Sequence, residues 1–484
     1  MLPRLPNMPL KNADRWIVDS DGRTVIIRGV NMINKMPPDY TLSATGFGEV
    51  DAQLLAANGF NAVRVGVIYS AVEPTPGQYD VDYLQDIKGT VDMLAGYGIM
   101  SLIDFHQDGW GPKFKCEGFP KWATFTDGNT FGGENFPALL TDPAVMAAFG
   151  NLWRNTLVQG VGLQDRFAAA WAQAVEILKD SPGILGWEIL NEPWPGNLMA
   201  LKKPLDWKHL LEEIGEDIAE SHIYLREFTR KVVASIRTHD SDHMIWYEPW
   251  VLFDWGIPTF IGKIDDPAGR IGFAFHNYIN IDGLVPPGIP YSYDTAWKNA
   301  LDHSKATGDA LLATEFGADF NAQLITEQMT SIDANMMPAI YWAYWNRTPY
   351  QIVNPITGQQ LSSEDMGLVY DLTAPRDQPG NVQVDRLAAL TRPYPMFIAG
   401  TPVQWSFDSD PAARIFSFTY IPATSGPNVT EIFVPDLHYP KGAWTASVIA
   451  EGDVTLTPTT QALLVETNGP VPTVTVTIQP SGTP

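Results

Sequence analysis

The sequence predicts a (β/α)8 (TIM-type) barrel followed by a small C-terminal antiparallel β-sandwich, on three observations. Eight short apolar runs alternate with helical patterns within residues 1–390, the arrangement of parallel strands joined by crossover helices. No glycine fingerprint follows the first run, so a closed barrel fits better than an open doubly wound sheet. From about Thr391 helical periodicity stops, and short β-branched runs broken by Pro, Gly and Asn occupy residues 391–484.

Trp16-Ile17-Val18, a turn at Asp21-Gly22 and the run Val25 to Asn31 read as a hairpin whose second arm enters a sheet as its first strand. After Pro37-Pro38, Val50, Leu54 and Leu55 set a helical pattern near 49–58. Phe60 to Val67 then reads as a buried strand carrying one arginine, Arg64. A helix near 80–96 leads to the strand Ile99 to His106, and a helix near 163–180 leads to Ile184 to Leu190. Further strands are expected at 243–248, 271–276, 310–315 and 338–345, between helical patterns near 220–237, 292–305 and 321–335. Residues 107–140, rich in Gly, Phe and Trp, read as an elaborate loop at the barrel mouth. In the C-terminal region strands are expected at Val403–Phe407, Arg414–Tyr420, Glu431–Val434, Trp444–Ile449, Leu463–Glu466 and Thr473–Ile478. Buttressing of the barrel suits this domain better than sugar binding, since no aromatic platform stands out in it.

Composition narrows the function. Lys plus Arg number 31 against 55 Asp plus Glu, a net charge of −24 that argues against nucleic acid or an anionic membrane as partner. The single Cys116 excludes an intrachain disulfide and a cysteine-based metal site. No apolar run reaches the roughly 18 residues of a spanning helix, so stable membrane insertion is not expected. Met1 to Pro6 lacks the charged-then-apolar design of a signal peptide, which implies either a cytosolic protein or a leader already removed. The 16 tryptophans suit sugar rings, although a large core also uses them.

The chemistry concentrates at strand ends. Trp187-Glu188-Ile189-Leu190-Asn191-Glu192-Pro193-Trp194 closes an apolar run with an Asn-Glu pair, and Glu315 closes another three strands later. Arg64, His106, His276 with Tyr278, and Trp345 with Asn346 occupy further strand ends. The C-terminal ends of barrel strands form the catalytic face of this fold. Two glutamates on separate strand ends suit glycoside cleavage, in which one protonates the leaving oxygen and the other meets the anomeric carbon. Their mutual repulsion raises the pKa of the one that must stay protonated.

Asn191-Glu192-Pro193, Thr314-Glu315-Phe316-Gly317, Arg64, His106, His276-Asn277-Tyr278 and Trp345, spread along residues 16–346, together resemble glycoside hydrolase family 5, a group of retaining barrel enzymes. The resemblance implies Glu192 as acid/base and Glu315 as nucleophile. It further implies that Arg64 holds Glu315 ionised, that Asn191 contacts the sugar 2-hydroxyl, that His276 and Tyr278 flank the carboxylates, and that Trp345 floors the reacting sugar's subsite. Asp104 to Asp108, Phe119 to Ala123, Thr126-Asp127-Gly128, Arg392 to Pro395 and Ala399 to Pro402 look like the endoglycoceramidases within that family. That likeness implies hydrolysis of the β-bond between an intact glycan and the ceramide of glycosphingolipids, with no cofactor or metal, by a secreted monomer. It also makes Lys35 and Asp108 candidates for binding the sugar beyond the cleavage point.

The loop Gly109 to Lys113 departs from the group's pattern, which leaves endogalactosylceramidases open. A cellulase-like endo-β-glucanase or β-glucosidase would share the fold and the glutamate pair. A non-catalytic sugar-binding barrel would be expected to have lost one carboxylate, and both are kept here. Leu198 to Leu201 with Lys202-Lys203, and Trp250 to Pro258, are expected as apolar walls for acyl chains, with Leu201 and Phe253 facing the lipid. His239 to His243 has metal-ligand residue types but reads as a polar turn.

Overall fold

A computed structural model describes residues 4–198, 207–278, 293–318, 321–353 and 360–481; within 207–219 only the backbone path is considered. Eight parallel strands close a barrel: β1 (Arg28–Met32), β2 (Ala62–Ile68), β3 (Met100–His106), β4 (Ile184–Glu188), β5 (Ile245–Tyr247), β6 (Ile271–Asn277), β7 (Ala310–Gly317) and β8 (Ala339–Trp345). Each falls within a few residues of its expected run. The helices Glu49–Ala57, Val81–Gly96, Leu163–Leu178, Tyr293–Thr307 and Ala322–Ala334 also lie where periodicity put them. The helix expected at 220–237 begins earlier and runs Trp207–Arg237. Pro143–Trp153 is a further helix beside the mouth loop, with Asp142 capping Ala144 N–H. Its face is apolar on nearly every side, which hides the 3.6-residue period from the sequence.

Inward positions near the strand starts, among them Ala62, Leu102, Leu185, Ala274, Leu312 and Ile340, belong to one apolar cluster with Ile17, Val25 and Ile26. The N-terminal segment closes that end of the barrel. Leu311 N–H donates to Arg15 O at 3.0 Å, and Ile271 N–H to Asn12 Oδ1 at 3.3 Å. The cavity is therefore left at the opposite end, where the strands finish.

The expected hairpin is present but divided. Trp16–Val18 pairs with Thr24–Val25, and the chain then leaves for β1 at Arg28. Thr24–Val25 also pairs antiparallel with Tyr394–Ile398. The N-terminal strands thus join a seven-stranded sheet with Val429–Phe433, Ala462–Thr467 and Val454–Pro458. A four-stranded antiparallel sheet, containing Gly400–Phe407, Phe416–Pro422, Val474–Pro480 and Trp444–Ala450, shares its core through Trp405, Phe418, Ile432 and Leu463. Among the described residues no helix is long and apolar enough to cross a membrane.

Candidate active site

Alternation along β2 puts Arg64 on the same inward face as Ala62, two residues beyond the apolar plug. The side chain is fully buried. Its Nε donates to Glu188 Oε2 at 2.5 Å, and Nη1 to Asn31 Oδ1 at 3.1 Å. Nη2 donates to Asn191 Oδ1 at 2.8 Å and Glu248 Oε1 at 3.2 Å, and lies 3.1 Å from Asp104 Oδ2. Nη1 also donates to Glu315 Oε1. Burial opposes the guanidinium charge, but Asp104, Glu188, Glu315 and Glu248 outweigh it and push its pKa well above the usual value. Glu188 is pushed up to about 7 by burial, against the pull of Arg64. Glu248 is raised well above the carboxylate range by burial and then by Glu188.

Glu315 sits near the end of β7, paired in register with His276 on β6. The Tyr278 hydroxyl donates to its second oxygen. Burial, then the Glu315 charge, raises the Tyr278 pKa well above its usual value, so the phenol remains a donor. His276 Nδ1 lies 2.9 Å from Glu192 Oε1 and 3.5 Å from Glu315 Oε2. Burial drives its pKa down to about 3, so the imidazole between the two glutamates is neutral.

Glu192 follows β4 with a left-handed backbone, φ 42°, a conformation that costs a non-glycine residue about 1–3 kcal/mol. Its N–H donates to Glu248 Oε2 at 3.0 Å, and the Gln107 amide donates to Asn191 O at 2.9 Å and Glu192 O at 3.0 Å. These bonds hold the turn that aims the carboxyl at Glu315. Burial first, and the Asp108 charge second, push Glu192 up to about 7. Glu192, His276 and Glu315 each present an atom within 4.8 Å of the others.

Lys35 and Asp108 form a buried pair. Tyr350 donates to the same Asp108 oxygen at 2.7 Å. Lys35 Nζ lies 4.3 Å from the centre of the Trp342 ring and 3.6 Å from Glu117 Oε1. His106 stacks on Trp342 at 5.6 Å and contacts Asp104 Oδ2 through Nδ1 at 2.7 Å. Burial lowers its pKa, but Asp104 and Asp108 together outweigh this and raise it to about 9. His106, Asp108 and Glu117 are also close enough to share a cation; Lys35 already supplies positive charge to them, as Arg64 does to Glu315.

Lys35, His106, Asp108, Glu192, Tyr278 and Glu315 all face one cavity that opens to solvent. Its apolar sides come from Phe136, Leu140, Val251, Trp255, Ile352 and Met366. Arg64, Asn191 and His276 stand behind that lining and brace it. Asn191 is committed to Arg64 and, through Nδ2, to Gln107 O at 3.0 Å.

Two expectations change. At the end of β8 the tryptophan that lines the cavity, alongside Trp255, is Trp342 and not Trp345. Ile340 is in the barrel plug and Trp342, two residues on, shares its face, whereas Trp345 lies outside the cavity lining with the Arg347 guanidinium 5.6 Å from its ring. Phe253 is 1% exposed and packs edge-on against Phe273 and Phe275, so it does not face the cavity; Val251 and Trp255 of the same segment do. Met199 to Lys203, including Leu201, lie outside the described residues. The His239–His243 turn is closed on itself, with His243 Nδ1 at 3.0 Å from Asp240 Oδ2.

A (β/α)8 barrel whose mouth carries two opposed glutamates in a cavity with aromatic and apolar walls defines the class of barrel glycosidases. Residues 18–348 match the family model described as cellulase (glycosyl hydrolase family 5), and residues 392–479 match the glycoside hydrolase family 5 C-terminal domain. The chain belongs to glycoside hydrolase family 5. It is 28% identical to endoglycoceramidase I of Rhodococcus hoagii, over 99% of this chain and 90% of that one. It is 26% identical to an endoglycoceramidase of Cyanea nozakii, over 88% of this chain and 84% of the relative. The solved endo-glycoceramidase II from Rhodococcus sp. superposes with a TM-score of 0.73 at 26% identity, covering 96% of this chain and 99% of that one.

Proposed function

We propose that the chain is a retaining, endo-acting glycosidase that separates the intact glycan of a glycosphingolipid from its ceramide. The observation that carries the chemistry is the closeness of Glu192 and Glu315, whose oxygens lie within 4.8 Å. That supports the roughly 5–5.5 Å carboxyl spacing of retaining enzymes, too narrow for the attacking water of an inverting one. Glu315 attacks the anomeric carbon while Glu192 gives its proton to the ceramide oxygen, which leaves as the alcohol. Glu192, now a carboxylate, takes a proton from water, whose oxygen displaces Glu315 and restores the β-configuration.

Glu192 at about 7 is suited to both halves of that cycle. The Lys35–Asp108 pair and the Trp342 face supply hydrogen bonds and stacking for the sugar. The two endoglycoceramidase relatives and the apolar cavity sides support a lipid aglycone. Mass spectrometry of products from a ganglioside mixture tests the reading: free intact oligosaccharide and ceramide are expected. Stepwise release of single sugars, or cleavage of cellotriose alone, would indicate another family 5 specificity. Glu315→Ser should abolish turnover of every substrate cleaved; activity that survives would overturn the nucleophile assignment.

A further inference from the structure

The 3₁₀ turn Val251–Trp255 carries a carboxyl, Asp254, into the cavity beside Glu192. Asp254 is 3% exposed. Its carboxyl interacts with that of Glu192, and both face the same ring nitrogen, His276 Nδ1, which lies 2.9 Å from Glu192 Oε1. Asp254 Oδ2 lies 3.7 Å from that nitrogen and, among the described residues, receives no donor. Besides His276, Glu315 on β7 and Tyr278 beyond β6 are titratable groups that act on it. Behind the turn, the helix Tyr293–Thr307 contributes the Asn299 amide, which donates to Gly256 O at 2.9 Å. Asp108, His106 and Lys35 act on the Glu192 side of the pair.

Two carboxyl groups in a buried contact need a proton between them, because two carboxylates would place like charges together without a donor. Glu192 must lose and regain its proton in each turnover, so it is not the member that holds one permanently. Resting on the double-displacement reading above, we propose that Asp254 stays protonated throughout the cycle and donates a hydrogen bond to Glu192, stabilising the carboxylate formed when the leaving oxygen is protonated. Burial first, and the Glu192 charge second, hold Asp254 well above the usual carboxylate range. In return, the bond from Asp254 pulls the Glu192 pKa downward against its own burial. Asp254 passes no proton to substrate. It is a positioning residue that tunes the acid/base.

Asp254→Asn keeps a neutral donor of similar shape, whereas Asp254→Leu removes the donor and keeps water out. On a soluble aryl β-lactoside, the alkaline limb of kcat/KM should stay in place in D254N and move up by about one pH unit in D254L, as expected for loss of a hydrogen bond to the charged form. A downward move in D254N would mean that an ionised aspartate had been removed, and an unmoved limb in D254L would mean no donation; either overturns the proposal. Infrared difference spectra of wild type against D254N give a readout independent of turnover and of the folding of D254L. A buried carboxylic-acid C=O band should persist above the Glu192 titration and vanish in D254N, and a spectrum without it also overturns the proposal. If no glycoside is cleaved, the functional reading fails while the infrared measurement still decides the state of Asp254.

Discussion

At the scale of single residues the site is an arrangement of few cations among many acids. Arg64 touches Glu188, Glu248, Glu315 and Asp104, and one positive charge cannot offset four buried negative ones. The upward pKa shifts of Glu188 and Glu248 express this: both are held toward the neutral form, leaving Arg64 to serve Glu315. Glu192 pairs with no arginine among the described residues and is raised to about 7 by burial and then Asp108. Cleavage needs its protonated form, which is lost as pH rises through that value. The kcat/KM profile on glycolipid should therefore be high below pH 7 and fall above it. A profile still level two units higher would show that Glu192 is not the acid.

At the scale of elements, the segment Trp250 to Pro258 divides its work by side. Phe253 locks it to β6 through Phe273 and Phe275, while Val251, Asp254 and Trp255 turn toward the cavity. The mouth loop and the chain after β8 are tied across the opening by a bridge, with Phe136 N–H donating to Gln351 O at 3.2 Å and Val353 N–H to Phe136 O at 3.0 Å. These are the walls against which an acyl chain would lie. Trp255→Ala should lower kcat/KM on glycolipid about tenfold, roughly 1.4 kcal/mol of lost apolar contact, while sparing an aryl glycoside. Phe253→Ala should act differently, costing about 3–5 kcal/mol of stability through a core cavity and affecting both substrates alike. Paired assays with thermal melts separate the two; equal loss on both substrates for Trp255→Ala would remove it from the lipid wall.

At the scale of the whole molecule, the C-terminal domain is built into the barrel rather than appended to it. Asp333, on the helix before β8, accepts from Arg28 Nη2 at 2.9 Å, Trp405 Nε1 at 3.0 Å and Arg392 Nη1 at 3.1 Å. The N-terminal strands complete the C-terminal sheet as well as closing the barrel floor. Asp333→Ala would leave two buried guanidinium groups without their carboxylate, a loss of about 3–5 kcal/mol. Calorimetry should record one lowered transition for the entire chain. Two separate transitions would mean that the domains fold independently.

The eight barrel strands, most of the helices and the glutamate pair were legible in the sequence because they rest on local properties: apolar runs of strand length, helical period, and acids at strand ends. Glu192, Glu315, Arg64, His276, Tyr278, Lys35 and Asp108 meet at one mouth because the closed barrel brings its strand ends to one face. Which tryptophan faces the cavity depended on how β8 ends: its pairing with β1 shifts register between Tyr341 and Trp345, so the strand's two-residue repeat does not carry through to Trp345. Glu188, Glu248 and Asp104 had a faint signal, lying on expected strands near their ends, but their partnership with Arg64 spans up to 184 residues of chain. Asp254 and Glu117 sit on irregular segments, where no periodicity reports which way a side chain points. Local chemistry therefore determined the class of reaction. Only closure of the barrel, and the burial it imposes, decided which acids are pushed toward the neutral form.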